Sequence, residues 1–461
     1  MKKLLLSTII ILLLSSILLI SCGDGVTTTT ETSITTMSTD TTTTTNGVAT
    51  TVPIPECDHA EEIMAAKEPT TTSVGLTEGK KCSLCGEILI SQDVIPAIPV
   101  TDGFTYRVNE DNASYSVIGI GDITDVNIVI PSTYKDLPVT SIGKEAFKNC
   151  RNIKSVMLPD SVNDIGIGAF INCEALERIN IPNGVSRIEA STFSNCISLK
   201  NITIPDSVTF IGASAFKYCE SLTELPMGSG VTYIGFAAYG YCIGICNVAL
   251  PDTITKIDGC AFSGCTNLKS VNLGKGLIRI PMGLFYDCIN LEHIIANDEI
   301  ISIGDGAFEN CINLSSFDIP SKVTEIGTSA FEGCLLLDGI ILPEGLTKIS
   351  QYTFKNCQSL SSIEIPNSVT VIGSSAFLGC QSLSSVSLSG GVKRMHSGVF
   401  YGCTSLKSII IPESVTVMQA KIFEECTCLD AIYCEAQSKP KDWVEGWSYG
   451  AKEVVWGYKE G

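Results

Sequence analysis

The sequence predicts an α/β-type repeat solenoid dominated by short β-strands, built from 13 coils of 23 residues with a cap at each end. Three observations carry this expectation. Cysteine stands at 150, 173, 196, 219, 242, 265, 288, 311, 334, 357, 380, 403 and 426, and every step is 23. An aromatic residue precedes each cysteine by three positions, from Phe147 to Phe423, with Tyr239 as the variant. Two short extended runs then recur in each period, as in Lys200-Asn201-Ile202-Thr203-Ile204-Pro205 and Val208-Thr209-Phe210-Ile211-Gly212. Self-similarity at a fixed period of this length is the mark of stacked coils.

The chain opens on a targeting pattern over residues 1–21. Lys2 and Lys3 supply positive charge, and Leu4 to Ile20 is apolar with a few Ser and Thr. Such a segment is removed from fold reasoning as a signal peptide. Leu19-Ile20-Ser21-Cys22 resembles a bacterial lipobox, which implies lipidation of Cys22 and a membrane anchor through its acyl chains. The alternative is an uncleaved apolar helix at the short edge of what spans a bilayer. Residues 22–52 follow as a tether. From Thr27 to Thr51, 15 of 25 residues are threonine. No apolar periodicity exists there to build a core, so the segment reads as a flexible linker or a glycosylated stalk.

Residues 53–100 read as a small cysteine–histidine module. Cys57-Asp58-His59 precedes Cys82-Ser83-Leu84-Cys85-Gly86. A CxxCG turn sets two thiolates on one knuckle, suited to tetrahedral zinc, and Cys57 and His59 complete four ligands. With four protein ligands no position is left open, so the zinc would be structural and would serve no activity. A Cys82–Cys85 disulfide, or free thiols in a hairpin, are the alternatives. The segment resembles a short module of bacterial cell-surface proteins in which a cysteine follows the Pro-Thr pair; Thr71 stands there in this chain.

Residues 101–140 read as an opening cap. Phe104-Thr105-Tyr106 and Ser116-Val117-Ile118 form a hairpin, and Asn127-Ile128-Val129-Ile130-Pro131 forms a half-coil. Residues 141–430 are the solenoid. In Ile202-Thr203-Ile204 the period of two turns the isoleucines inward and Thr203 outward. Pro205 ends the strand because it has no N–H to donate. Gly212 is expected to permit a tight bend. Ala215-Phe216 is expected on a short helical or 3₁₀ stretch, with the ring closing the core from the side. One coil cannot bury its apolar face alone, so stacking makes the core. Residues 431–461 read as a closing cap, where all three tryptophans (Trp443, Trp447, Trp456) seal the open end.

The unit x-Ile-x-Ile-Pro-x-Ser-Val-Thr-x-Ile-Gly-x-x-Ala-Phe-x-x-Cys-x-x-Leu resembles the BspA-type leucine-rich repeat, from about Phe104 to Leu429. The resemblance implies a leucine-rich repeat solenoid and a surface protein that adheres to host or bacterial proteins. It also gives the cysteine column a role as small buried side chains, where this repeat class places Asn or Cys.

Enzyme chemistry is not expected. The chain has three histidines, His59, His293 and His396, and neither of the last two has a nucleophile or metal context. Asp318 and Glu364 stand two coils apart without an enclosing pocket, wide for a retaining carboxylate pair. A net charge of −19 repels nucleic acid. The expected function is binding through outward strand positions, five and seven after each cysteine. Arg178, Asn180, His293, Ile295, Asp318, Ile341, Glu364 and Ile410 lie there, and Phe210 and Tyr233 add aromatics on the second run. A protein ligand on this face is the first expectation. A structural or carbohydrate-associated rod in the cell envelope is the second.

Overall fold

The computed structural model describes residues 59–67, 75–96 and 99–459. Cys22, Cys57, the targeting segment and the threonine tract lie outside the described residues. The chain divides into two compact units, one holding residues up to 66 with 78–92, the other 67–77 with 93–461.

Within the first unit three antiparallel strands form a sheet, with Gly79–Cys82 between Glu61–Met64 and Ile88–Ile90. Its apolar residues find little cover: Ile63, Leu84, Ile88 and Ile90 are exposed. Only Gly79 and Cys82 are buried among its described residues.

The second unit is a β-solenoid. Most coils contribute two short strands, and successive coils pair in parallel at a step of 23. In the second-strand ladder Arg187 faces Phe210, Phe210 faces Tyr233 and Tyr233 faces Lys256. The next residue along, Ile188, Ile211, Ile234 or Ile257, is buried, as period-two alternation requires. The first-strand ladder runs from Asn127–Val129 through Ser155–Met157 to Arg178–Ile179, with Asn201 bridged to Arg178. It restarts at Asn247–Ala249, which pairs with Ser270–Asn272. In the gap between lies Glu224-Leu225-Pro226. A proline N cannot donate to a ladder.

The expected helical stretch around Ala215-Phe216 is absent: no helix forms among the described residues. The reason is in the backbone. Two residues per coil take left-handed φ, five and one before the cysteine, as in Ser191 and Asn195 or Ser214 and Tyr218. Between them the amides alternate. Lys217 N–H donates back to Ser214 O, whereas Phe216 N–H donates across to Ala238 O of the next coil. Every second donor is thereby spent on coil stacking, which a helix would forbid. Asn and Gly dominate the position before the cysteine because they enter this region at least cost. Gly212 also differs from expectation. Its φ is not left-handed; a Cβ there would lie 2.6 Å from the Ala190 N of the preceding coil, so the glycine serves close approach.

Two columns run along the core beside its rows of Ile, Leu and Val. The thirteen rings from Phe147 to Phe423 are fully buried. Neighbours stack face to face, for example at 5.4 Å and 18° between Phe193 and Phe216. Beside them the thiols from Cys173 to Cys426, also buried, each donate to the carbonyl of an aromatic in the preceding coil, while Cys150 at the head of the column is half-buried. Cys196 donates to Phe170 O at 3.2 Å and Cys311 to Phe285 O at 3.2 Å. These column cysteines are free thiols. Parallel side chains in such a column aim alike, and each sulfur from Cys173 onward already has an acceptor.

Both ends are covered. Thr105–Val108 pairs antiparallel with Tyr115–Gly119, which joins the solenoid in parallel through Leu137–Ile142. Phe104 meets Phe147 edge-on at 6.2 Å, closing the aromatic column. At the far end Glu453–Trp456 pairs with Ala431–Cys434. Trp443 and Trp447 meet edge to face at 4.7 Å, and Trp443 Nε1 donates to Val415 O at 3.1 Å.

Candidate functional site

The first-strand face holds a groove of about 970 Å³ across the coils between residues 127 and 207. Its floor alternates buried Ile128, Val156 and Ile179 with outward Ser155, Met157 and Arg178. Arg151 and Arg187 nearby are paired with Glu174 and Glu189. The exposed Arg178 has no ion-pair partner among the described residues. It stands in mid-groove as a planar donor turned to solvent, where the ladder thins toward the Pro226 break. Asn180, predicted on the same face, lines the groove too. Its amide is engaged, however, donating to Leu158 O at 2.8 Å and accepting from Leu158 N at 2.7 Å. Asn180 thus clamps two coils.

Further along, the face turns aliphatic. Ile295 is 64% exposed and Ile341 is 85% exposed, with Asp318 exposed on the coil between them. Isolated aliphatics at that exposure gain nothing for the fold. His293 is also exposed, with Nε2 at 4.0 Å from Glu292. Glu364 is exposed in register with Ser387. Ile410 is half-buried, facing Tyr433 of the closing cap, so it is less available than Ile341.

Phe210 and Tyr233 stack at 4.7 Å and 7° on the second-strand ladder. Both outer faces are taken. The Arg187 guanidinium lies 3.7 Å from the Phe210 ring centroid, and Lys256 Nζ lies 5.1 Å from that of Tyr233. The Tyr233 hydroxyl donates to the Asp258 carboxylate, and that bond pushes the phenol up to about 12. This is a closed cation–ring–ring–cation stack, leaving ring edges to a partner.

A second aromatic pair escaped sequence reasoning. Tyr218 and Tyr241 stack at 4.9 Å, both exposed, with Lys217 Nζ at 5.0 Å from the first ring. They occupy the left-handed position before the cysteine, at φ 62° and 60°. A bulky residue there is an outlier. The signal was present in the sequence, as Tyr where most other coils carry Asn or Gly.

In the first unit His59, Cys82 and Cys85 converge, their ligand atoms all within 4.8 Å of one another. Gly86, at φ 79°, turns the chain after the knuckle. Leu84 N–H and Cys85 N–H both donate to Cys82 Sγ at 3.4 Å. The Cys85 amide foremost, with those of Leu84 and the His59 ring, holds the Cys82 thiol down at about 6. Cys57 lies outside the described residues. Elsewhere Cys260, Cys428 and Cys434 are free thiols, so they form no bridge with one another. Among the described residues no helix is long and apolar enough to cross a membrane.

Comparison with known proteins agrees with this architecture. A family model described as the BspA type leucine rich repeat region matches in six copies, over residues 126–246, 233–361 and 324–440. A crystal structure of a leucine-rich repeat protein from Bacteroides ovatus is 33% identical with a TM-score of 0.64, covering 77% of this chain and 99% of that one. The pneumococcal vaccine antigen PcpA is 20% identical with a TM-score of 0.56, covering 78% and 98%, and shares the fold. A leucine rich cell surface protein from Faecalibacterium prausnitzii is 25% identical with a TM-score of 0.41, covering 79% and 96%. No curated protein matches. With its 23-residue coils, its two strand ladders and a family match spanning more than half its length, the chain belongs to the BspA-type leucine-rich repeat family.

Proposed function

We propose that this protein is a non-enzymatic, cell-surface adhesin that displays its first-strand face to a protein ligand. Cys22, lipidated, holds it to the bacterial envelope, and the threonine tract carries the repeats outward. The observation that carries the reading is the unpaired Arg178 in the groove spanning 127–207. On a chain of net charge −19 that guanidinium is a local exception, and it offers a planar donor to a carboxylate. Arginine in a partly enclosed site is a frequent anchor of protein interfaces. Exposed Ile295 and Ile341 extend the surface with apolar contacts.

A second reading has its own support. Ser362, Ser385 and Ser408 occupy one outward strand position on three successive coils, a small polar face fit for a structural or carbohydrate-associated rod. Capture by the purified chain separates the two. Saturable retention of a protein from host or bacterial surface extracts supports the adhesin; retention by envelope polysaccharide alone supports the rod.

A further inference from the structure

We propose that the opening cap carries a saccharide-binding pocket, in which Asp102, Thr133 and Lys135 hydrogen-bond the hydroxyls of a sugar lying against the rings of Tyr106 and Tyr134. The pocket holds about 550 Å³, with the buried Phe104 in its lining. That is the size of a small-molecule site. It shares no lining residue with the Arg178 groove, so the two sites stand or fall separately.

An insertion builds the pocket. In the repeats the strand-ending proline stands three positions before the next buried valine, as in Pro159 to Val162 and Pro205 to Val208. In the cap Pro131 stands eight positions before Val139, five more than the repeats use. The extra residues make a hairpin in which Thr133–Tyr134 pairs antiparallel with Leu137 and Pro138. On a solenoid an insertion adds to one face, often the one that binds. The end of the core is closed without it: Phe104 meets Phe147 edge-on, whereas Tyr134 stays half-buried. The hairpin turn is also costly, since Lys135 and Asp136 both take left-handed φ, 47° and 64°, without a glycine. Strain of this kind collects where a side chain has to be placed.

The lining suits a sugar. Tyr106 and Tyr134 stack at 3.8 Å and 12°, and Tyr115 meets both edge-on, which fixes the rings. Such rings offer an apolar wall to the C–H groups of a pyranose and a hydroxyl to its oxygens. Burial foremost, then Tyr134 and Asp102, pushes the Tyr106 phenol up to about 12, so it stays a donor at neutral pH. Among the described residues the Asp102 carboxylate, the Thr133 hydroxyl and both phenol hydroxyls make no hydrogen bond, and Lys135 makes no ion pair. Lys135 Nζ instead lies 5.4 Å from the Tyr134 ring centroid. Asp102 is held in place by its neighbour: the buried Thr101 donates N–H to Val129 O at 2.8 Å, and its hydroxyl accepts from Val129 N–H at 3.0 Å. A carboxylate accepts from sugar hydroxyls, and an ammonium donates to sugar oxygens. One of each leaves the lining without net charge, which favours a neutral polyol over an ion.

The test is saturation-transfer NMR and isothermal titration of the full chain with D-glucose, D-galactose, D-mannose, N-acetyl-D-glucosamine and their β-linked disaccharides. Saturable binding of at least one of these sugars is expected. Asp102→Asn, which removes a charged acceptor and keeps its size, is expected to weaken that binding about tenfold. Tyr134→Phe, which removes one hydroxyl, is expected to weaken it about fivefold. Denaturation midpoints are expected to stay unchanged in both, since neither side chain has a hydrogen bond to lose. Arg178→Glu, outside the pocket, is expected to bind the sugar as the native chain does. Binding of none of these sugars, sugar binding that both pocket variants leave undiminished, or binding of tetramethylammonium in place of any sugar overturns the site.

Discussion

The Tyr239 hydroxyl donates a 2.9 Å hydrogen bond to the Pro226 carbonyl, thirteen residues earlier. The ring sits in the buried column where every other coil has phenylalanine, between Phe216 and Phe262. Pro226 lies in the coil that interrupts the first-strand ladder and is itself buried. Its carbonyl has lost the strand partner that neighbouring coils supply, and the hydroxyl replaces it. The one tyrosine of the column thus repairs the one proline that breaks the ladder.

Tyr239→Phe therefore restores the column's own residue and yet destabilises the protein. Removing the donor leaves a buried carbonyl unsatisfied, a cost of about 1–3 kcal/mol. Equilibrium denaturation is expected to show a lower midpoint for this variant. An equal or higher midpoint would mean the hydroxyl contributes nothing.

The thiol column makes stability fall in alkali. Burial pushes the thiols of Cys196, Cys265 and Cys426 up to about 12, and those of Cys219, Cys242 and Cys288 well above the ordinary 9.0. The unfolded chain ionises near 9 and the folded chain does not. Stability is therefore complete below pH 9 and lost as pH rises toward 12. Each such thiol removes up to about 1.4 kcal/mol per pH unit in that window. Denaturation midpoints measured from pH 7 to 11 are expected to drop steeply above 9. Below that pH, the exposed Cys428 is expected to react with thiol reagents, and the buried thiols from Cys173 to Cys426 only after denaturation.

Gly212→Ala tests the close approach of coils. The added Cβ would lie 2.6 Å from Ala190 N and 2.7 Å from Glu189 C, both backbone, so the coils must part. A loss of about 1–3 kcal/mol is expected from such overpacking. Gly339→Ala is the control, since a Cβ there meets nothing within 4 Å.

The period of 23, the aromatic and cysteine columns and the alternation of the strands are local regularities, and they made the solenoid legible residue by residue. Three features depend on neighbouring coils and were not. The turn around Ala215-Phe216 reads as helical because its residues suit a helix; its amides instead serve Ala238 and its neighbours, 22 residues on. Asn180 reads as a free polar side chain until Leu158 of the preceding coil is seen to use it. Phe210 and Tyr233 were legible as a pair on adjacent coils. The cations that close their faces, Arg187 and Lys256, belong to coils on either side. Arg178 needed no such help: its position five after a cysteine sets it outward, and only its lack of a partner required coordinates.

The binding face is tested most directly at Arg178. Saturable binding of the full chain to a panel of host matrix and bacterial surface proteins is measured for the native chain, for Arg178→Glu, and for Arg394→Glu on the second-strand ladder. Binding to a protein is expected for the native chain and for Arg394→Glu. Arg178→Glu is expected to lose at least about 2 kcal/mol, some thirtyfold in Kd. Equal affinity of Arg178→Glu and the native chain, or saturable binding to polysaccharide alone, would contradict the account.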